Sequence, residues 1–194
     1  MPKTFPMHDR LLLAFHQAEE VYDSALAGHT HRVSDIATRI GKRLGMSSAE
    51  LKDLSWIATL HDIGKLGVAQ EIIQKTGSLT EVEWIEMRQH PLIGEAIILA
   101  ISPAFEEIGR GVRGHHERWD GLGYPDAIGG DQIPLMSRVV AISDSYDALR
   151  TVRTYRSGVS TDEEALRSIV LGADSHYDAS LVEVFGRVVT DDSD

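Results

Sequence analysis

Cysteine is absent from this chain of 194 residues. Disulfide bonds and thiolate-bound zinc are therefore excluded, and any metal ion has to be held by imidazole and carboxylate groups. The chain also lacks a run of about 20 apolar residues, which a membrane-spanning helix requires. Its N-terminus lacks the charged and apolar segments of a secretion signal. We therefore expect a cytoplasmic protein with no membrane partner.

Positive charge is scarce, because 19 Lys and Arg stand against 30 Asp and Glu and give a formal net charge of -11. Long nucleic acids and anionic membrane surfaces both attract dispersed positive charge, so neither is an expected partner. A small anionic ligand is compatible with this composition if a local basic cluster offsets the field. With 42% hydrophobic residues, the length suits one compact domain with a real core.

Strict alternation of apolar and polar residues, which is typical of strands, is also missing, and no internal repeat is visible. Apolar residues recur at helical spacing instead, for example from Leu11 to Tyr22 and from Val33 to Leu44. Three capping boxes predict helix starts. They are formed by Ser47 with Glu50, Thr80 with Glu83, and Thr161 with Glu164. We expect an all-α fold, a compact single-domain bundle of roughly eight or nine helices.

One segment, from about residue 118 to residue 133, cannot form a continuous helix because it holds four glycines and a proline. Long glycine-rich loops inside compact domains often carry function. We place the catalytic domain at residues 29–190, after an N-terminal helical extension at residues 1–28. The extension is the remnant of a linker, a dimerising element or a lid on the core. A dimer is therefore compatible with the sequence.

His61 and Asp62 are adjacent on one predicted helix, and further His and Asp residues follow along the chain. Burying this pair without a cation would be costly. Adjacent side chains on a helix point about 100° apart, so the two cannot face one ion squarely, whereas the two oxygens of Asp62 can bridge two ions. Two ions about 3.5 to 4 Å apart clamp a phosphoryl centre and lower the pKa of a bridging water towards about 7. The pair therefore indicates hydrolysis of a phosphate ester.

Several separated blocks accompany this pair. They are His29 with Arg32-Val33, the run from His61 to Lys65, Lys75 with Leu79-Thr80, His90-Pro91 with Gly94, the run from His115 to Gly121, Gly123-Tyr124-Pro125, Arg138, and Asp144 with the run from Tyr146 to Leu149. Taken together, from about His29 to Phe185, the chain resembles the HD-GYP family. This family is a branch of the HD-domain metal phosphohydrolases that degrades the bacterial second messenger cyclic di-GMP.

The resemblance implies a site for two divalent ions, iron or manganese in the first place, with zinc as an alternative. One ion would be held by His29, His61, Asp62 and Asp144, and the other by Asp62, His90, His115 and His116. Some family members place a glutamate four residues before the first histidine, where it helps to hold a third metal. Ala25 stands at that position and has no donor atom. Two ions, rather than three, are therefore expected, with pGpG rather than GMP as the main product.

A phosphate diester needs positive charge beside the metals. Lys65 is the leading candidate, because Gly64 allows a close backbone approach and the ammonium can hold a phosphate oxygen or protonate the leaving oxygen. The resemblance adds Arg153 and Arg156 as contacts to phosphate and guanine. Three further candidates can instead serve the structure, by forming salt bridges or by pinning the loop to the core. They are Arg118, Arg138 and Tyr124.

The leading hypothesis is a cyclic di-GMP phosphodiesterase with Asp62 and Lys65 as its catalytic residues. Asp62 would bridge the two ions, a bridging hydroxide would attack one phosphorus, and the 3' oxygen would leave. Two alternatives stay open. One is a catalytically weak module that binds the nucleotide and docks diguanylate cyclases (GGDEF proteins) through the Gly-Tyr-Pro loop. The other is a phosphohydrolase of another cyclic dinucleotide.

Overall fold

The computed structural model describes residues 28–151 and 161–190 without interruption, and the isolated helical residues Arg10, Leu13, Ala14, Gln17 and Val21. Within the two continuous ranges the chain forms nine α-helices and no strand. The helices are α1 His29–Arg43, α2 Ser48–Leu60, α3 Gln70–Ile73, α4 Glu81–Met87, α5 His90–Ile101, α6 Glu106–Arg113, α7 Leu135–Arg150, α8 Asp162–Leu171 and α9 Ala179–Thr190. The predicted all-α bundle is confirmed. No helix in the described part combines the length and the apolar character needed to cross a bilayer.

Local signals set several helix ends. At the start of α2, the Ser47 hydroxyl accepts the Glu50 N–H, and the Glu50 carboxylate accepts the Ser47 N–H at 2.8 Å. The same reciprocal pair begins α4 at Thr80 and α8 at Thr161. All three predicted capping boxes are confirmed, because each depends only on residues three apart in the chain.

The apolar core lies where α1, α2, α6 and α7 meet, and α8 and α9 close it from the C-terminal side. The Phe185 side chain of α9 is fully buried and meets the Tyr146 ring of α7 edge-on, with ring centroids 4.9 Å apart. The loop between α6 and α7 contains a single short 3-10 helix, Gly130–Gln132, as its glycine content predicts. These packed helices carry the polar side chains described below on their ends.

A 3-10 helix, Ile63–Gly67, follows α2 and lies directly against α5. A Cβ added to Gly64 would fall 1.8 Å from the carbonyl oxygen of His90, so only glycine fits there. The contact at Gly64 is with the backbone of α5, and the predicted approach of this backbone to a substrate phosphate stays a prediction. This contact brings the segment that carries Asp62 beside the start of α5.

The expectation that His61 and Asp62 lie within one helix is wrong. Helix α2 ends at Leu60, His61 is its C-terminal cap, and Asp62 opens the 3-10 helix. The physical reason is the packing against α5, which keeps the residues after Asp62 on a tighter 3-10 path. His61 and Asp62 therefore stand at a bend between two elements.

Candidate metal centre

All seven predicted metal ligands come together in two neighbouring groups. Ligand atoms of Asp62, His90, His115 and His116 lie within 4.8 Å of one another, and those of His29, His61 and Asp144 form a second group with the same spread. The groups adjoin, because Nε2 of His61 lies 3.4 Å from Oδ2 of Asp62. The groups agree with the two ligand sets implied by the resemblance except at Asp62, which was expected in both sets and falls in the group of His90, His115 and His116.

Helix ends position most of these side chains. His29 begins α1, His61 caps the end of α2, His90 begins α5, and His115 and His116 follow the end of α6. Asp144 is the exception, because it projects from the middle of α7. Its helix is otherwise largely apolar on the inner face, with Val139, Val140 and Ile142 fully buried. Residues distant in sequence thus converge on one polar centre above the core.

Three histidines share one mode of orientation, in which Nδ1 lies within hydrogen-bond distance of the backbone carbonyl three residues earlier. The pairs are His61 with Ala58 at 2.8 Å, His90 with Met87 at 2.8 Å, and His115 with Val112 at 2.6 Å. A carbonyl oxygen can only accept, so Nδ1 carries a proton, and in the neutral form of each ring Nε2 keeps its lone pair. Metal-binding histidines are commonly fixed in this way. The Nε2 atoms are therefore the ones that face the centre.

The donor set fits divalent metal ions. Nε2 of His29 and Nε2 of His61 are buried and have no hydrogen-bond partner, although Oδ1 of Asp144 lies 3.2 Å from the former. A buried unpaired polar atom costs about 1–3 kcal/mol, which a bound cation would offset. Imidazole nitrogens with carboxylate oxygens suit iron, manganese and zinc.

Charges within the centre favour the protonation states that ligands need. Burial alone would raise the pKa of Asp62, but Lys65 and His61 outweigh burial and hold it well below its usual range. Burial would also raise the pKa of Asp144, but the neighbouring His29 and His61 imidazoles outweigh burial and lower it. Burial, with the charge of His90, lowers the pKa of His116 to about 3. The centre thus presents anionic oxygens beside a neutral imidazole.

His61 behaves differently. Burial would lower its pKa, but Asp62 and Asp144 outweigh burial and raise the pKa to about 9. At neutral pH a metal ion must therefore displace a proton from this imidazole. The negative charge around His61 makes the same position attractive to a cation.

Lys65 lies inside the centre. Its Nζ is 2.6 Å from Oδ2 of Asp62, and 19% of its side chain remains exposed. Asp144 is exposed to the same extent, whereas His61 and His90 are each 1% exposed. Solvent and small ligands therefore reach the centre beside Lys65 and Asp144.

Sequence reasoning assigned no role to Asp147, which holds the first histidine. Oδ2 of Asp147 lies 2.7 Å from Nδ1 of His29, and Oδ1 accepts the Nε–H of Arg32 at 2.6 Å. Burial would raise the pKa of Asp147, but His29 and Arg32 lower it. A signal existed in the sequence, because Asp147 follows Asp144 by three residues, nearly one helical turn.

The glycine-rich loop brings Tyr124 onto the centre. The Tyr124 ring stacks on His116, with centroids 4.8 Å apart and planes 29° apart. Arg113 fixes the loop, because it donates to Asp126 at 2.7 Å and to Glu95 of α5 at 2.6 Å. These contacts hold the loop and Tyr124 against the metal centre, and contact of Tyr124 with a substrate stays a prediction.

Two other predicted substrate contacts form ion pairs. Arg118 donates to Asp120 at 3.0 Å and lies 2.8 Å from Nε2 of His176. Arg138 donates to Asp178 at 2.8 Å and lies over the Trp119 ring. The remaining predicted positions, Arg153, Arg156 and Ala25, lie outside the described residues.

The helical fold and the donor set define a class of protein that binds divalent metal ions at the ends of packed helices. Residues 17–181 match the family model of the HD domain. The chain therefore belongs to the HD domain family, and its relatives confirm the predicted HD-GYP branch.

Two relatives illustrate the similarity. The chain is 38% identical over 153 residues to the 3'3'-cGAMP-specific phosphodiesterase 3 of Vibrio cholerae serotype O1. The alignment covers 79% of this chain and 33% of that protein. It is 36% identical over 147 residues to the cyclic di-GMP phosphodiesterase response regulator RpfG of Xanthomonas campestris pv. campestris. That alignment covers 75% of this chain and 39% of the relative. The aligned part thus spans less than half the length of these curated relatives.

A crystal structure of a cyclic GMP-AMP-specific phosphodiesterase from V. cholerae shows the same fold. Its TM-score is 0.69 at 23% identity, and the alignment covers 93% of this chain and 48% of that one. At this identity the likeness concerns the fold alone. The arrangement of the helices is therefore shared.

Proposed function

We propose that this chain is a metal-dependent phosphodiesterase that hydrolyses one phosphodiester bond of cyclic di-GMP and releases pGpG as its main product. One observation carries the proposal. All seven ligand side chains converge in two adjoining groups, with the Lys65 ammonium 2.6 Å from the central carboxylate of Asp62. Named relatives that act on cyclic di-GMP and on 3'3'-cGAMP support the substrate class.

The two groups would hold two ions, iron or manganese in the first place with zinc as an alternative, and Asp62 would contribute to both sites. Bound ions of this kind stabilise negative charge on a phosphoryl group and lower the pKa of a water molecule. His29, His61 and Asp144 would hold one ion, and His90, His115 and His116 the other. The absence of a third ion and the native metal stay predictions, since Ala25 lies outside the described residues.

Lys65 supplies positive charge where the substrate phosphate would lie. Its Nζ donates to Oδ2 of Asp62, and 19% of its side chain remains exposed. From this position the ammonium would hold a phosphate oxygen and stabilise the charge that develops on the leaving oxygen. Contacts of Arg153 and Arg156 with phosphate and guanine stay predictions, as do dimerisation, a cytoplasmic location and the docking of diguanylate cyclases by the Gly-Tyr-Pro loop.

The test is hydrolysis of cyclic di-GMP by protein loaded anaerobically with ferrous iron or with manganese, with the products separated by chromatography. Asp62→Ala should lower the rate at least about a hundredfold, because the central ligand is lost. Asp131→Ala is the matched control, since the side chain of Asp131 is 91% exposed. No turnover by the unmodified protein, or equal turnover by the Asp62→Ala variant, would contradict the proposal.

A second candidate substrate is 3'3'-cGAMP, which the similarity to a 3'3'-cGAMP-specific enzyme favours. The two candidates are separated by measuring kcat/KM for both dinucleotides on the same metal-loaded protein. We expect the higher value for cyclic di-GMP. A higher kcat/KM for 3'3'-cGAMP would identify that dinucleotide, rather than cyclic di-GMP, as the preferred substrate.

A further inference from the structure

A cation stands at the edge of the metal centre between two aromatic rings. The guanidinium carbon of Arg88 lies 5.5 Å from the centroid of the Tyr124 ring and 5.8 Å from the centroid of the Trp84 ring. Both distances are within the range of cation–π attraction. Among the residues that the structure describes, no carboxylate forms an ion pair with Arg88, whereas the neighbouring Lys75 is paired with Glu83 at 2.6 Å.

These groups continue a stack that begins at a metal ligand. The Tyr124 ring lies on the His116 ring, and Arg88 lies next to Tyr124, with Trp84 beyond it. We call His116, Tyr124, Arg88 and Trp84 the stacked row. Arg88 is therefore one layer outside the ions' ligands.

The backbone fixes both members of this contact. Arg88 caps the end of α4, where its N–H donates to the Trp84 carbonyl at 3.0 Å, and α5 begins only two residues later with His90. On the other side, the N–H of Tyr124 donates to the carbonyl of His116 at 3.2 Å. Trp84 is 45% exposed and Arg88 is exposed, so a ligand can reach the row.

This arrangement matches the chemistry of one nucleobase. Proteins hold unpaired bases by stacking them on aromatic rings and on guanidinium planes. An arginine held by its faces keeps its edge donors, and guanine presents O6 and N7, two acceptors in one plane. Adenine instead presents a donor, N6–H₂, next to N7, which opposes an arginine. A base is joined to the sugar beside the reacting phosphate, so it has to lie outside the metal ligands.

We propose that Arg88, with Trp84 and Tyr124, forms a guanine subsite beside the metal centre, in which the guanidinium donates to O6 and N7 of one base. The inference rests on the proposed function and deepens it by naming the residue that distinguishes guanine from adenine in a cyclic dinucleotide. Arg88 acts in recognition, whereas the metal ligands and Lys65 act on the phosphate.

The test compares Arg88→Met and Arg88→Lys with the parent protein loaded with manganese. Binding is measured by calorimetry with bisphosphorothioate analogues of cyclic di-GMP and of cyclic di-AMP, which resist hydrolysis. Arg88→Met should weaken binding of the guanine analogue about tenfold or more and change binding of the adenine analogue less than about twofold. Arg88→Lys should lose most of the same discrimination, because an ammonium cannot reproduce the planar pair of donors.

Arg187→Met is the matched control, since Arg187 on α9 is 61% exposed and pairs only with Glu183 among described carboxylates. It should leave both affinities unchanged. The manganese content and the thermal midpoint of each variant show whether its metal centre and fold are intact.

Unchanged discrimination in Arg88→Met, an equal loss for both analogues, or no binding of either analogue by the parent would overturn the subsite. Turnover of unmodified cyclic di-GMP by the parent is a separate measurement. A parent that binds the guanine analogue selectively without hydrolysing cyclic di-GMP removes the proposed activity, and the Arg88 variants still decide the subsite.

Discussion

At the scale of single residues, Asp147 determines how His29 enters the metal centre. It takes the Nδ1 side of His29 and two N–H groups of Arg32, with only 3% of its own side chain exposed. A carboxylate that accepts from the remote nitrogen of a ligating imidazole fixes its direction and makes its other nitrogen a stronger donor. The affinity of the His29 group for metal should therefore depend on a residue outside the ligand set.

Replacing Asp147 with Asn tests this dependence. The amide keeps the shape but loses the charge, so the manganese affinity should fall about 10- to 100-fold, as measured by competition with a chromogenic chelator. Asp131→Asn, at a position 91% exposed, should keep the affinity of the parent. Parental affinity in the Asp147→Asn protein would show that the carboxylate charge does not support the histidine.

The ligands and Asp147 differ in how far the sequence could predict them. His61, Asp62 and their partners fall in spaced blocks whose residue types are typical of metal ligands, so their convergence could be predicted. The hydrogen bonds of Asp147 join residues 115 and 118 positions apart. Likewise, the Arg88–Tyr124 contact depends on how α4 and the glycine-rich loop pack. The contacts of Asp147 and of Arg88 arise from tertiary packing, so the residue types at these positions do not indicate them.

At the scale of secondary-structure elements, the close contact between the 3-10 helix and α5 sets the spacing of the ligands. Gly64 touches the His90 carbonyl, and Gly94 lies under Val112 of α6, where an added Cβ would be 2.8 Å from a methyl group. His90 makes one of these contacts itself, Asp62 lies two residues before Gly64, and His115 lies three residues after Val112. The distances between ligands therefore depend on two glycines that bind no metal.

Gly64→Ala should disturb this spacing. The new methyl group collides with backbone, which cannot rotate away, so the free energy of unfolding should fall by about 1–3 kcal/mol or more, and manganese affinity should fall with it. Gly186→Ala is the control, because a Cβ at this helical position meets nothing within 4 Å. It should raise the free energy of unfolding by up to about 1 kcal/mol. Equal urea midpoints for the two variants would contradict the role of Gly64.

Some helix boundaries depend on local sequence and others depend on tertiary packing. The capping boxes at Ser47, Thr80 and Thr161 could be predicted because each uses neighbours in the chain. The end of α2 at Leu60 could not, because nothing between Leu60 and Asp62 breaks a helix and the 3-10 path follows from packing against α5. The sequence therefore predicted the helix correctly but extended it through His61 and Asp62, which lie after its last residue, Leu60.

At the scale of the whole molecule, the metal centre makes stability depend on pH. Burial first, and neighbouring charges second, lower the pKa of His90, His115 and His116 below the ordinary value of 6.5. Below about pH 6.5 these three imidazoles are protonated in the unfolded chain but stay neutral in the folded protein. The free energy of unfolding therefore decreases as the pH is lowered. His29 and His61 act in the opposite direction, because the pKa of each is raised in the folded protein. The pKa of His61, about 9, adds stability that is complete below pH 6.5 and is lost as pH rises through 9.

The last prediction combines pH and metal removal. Chelator-treated protein should show a thermal midpoint that falls as pH is lowered from about 7 to about 5, since His90, His115 and His116 oppose protonation and only His29 and His61 favour it. Manganese at about 100 times its Kd adds about 2.7 kcal/mol, or roughly 5 to 10 °C, near neutral pH. This gain should shrink on acidification, because protons compete for the ligands. His116→Gln should flatten the acid limb of the metal-free protein, whereas the exposed His31→Gln should not. A metal-free midpoint that stays constant between these pH values would contradict the burial of neutral imidazoles as the cause.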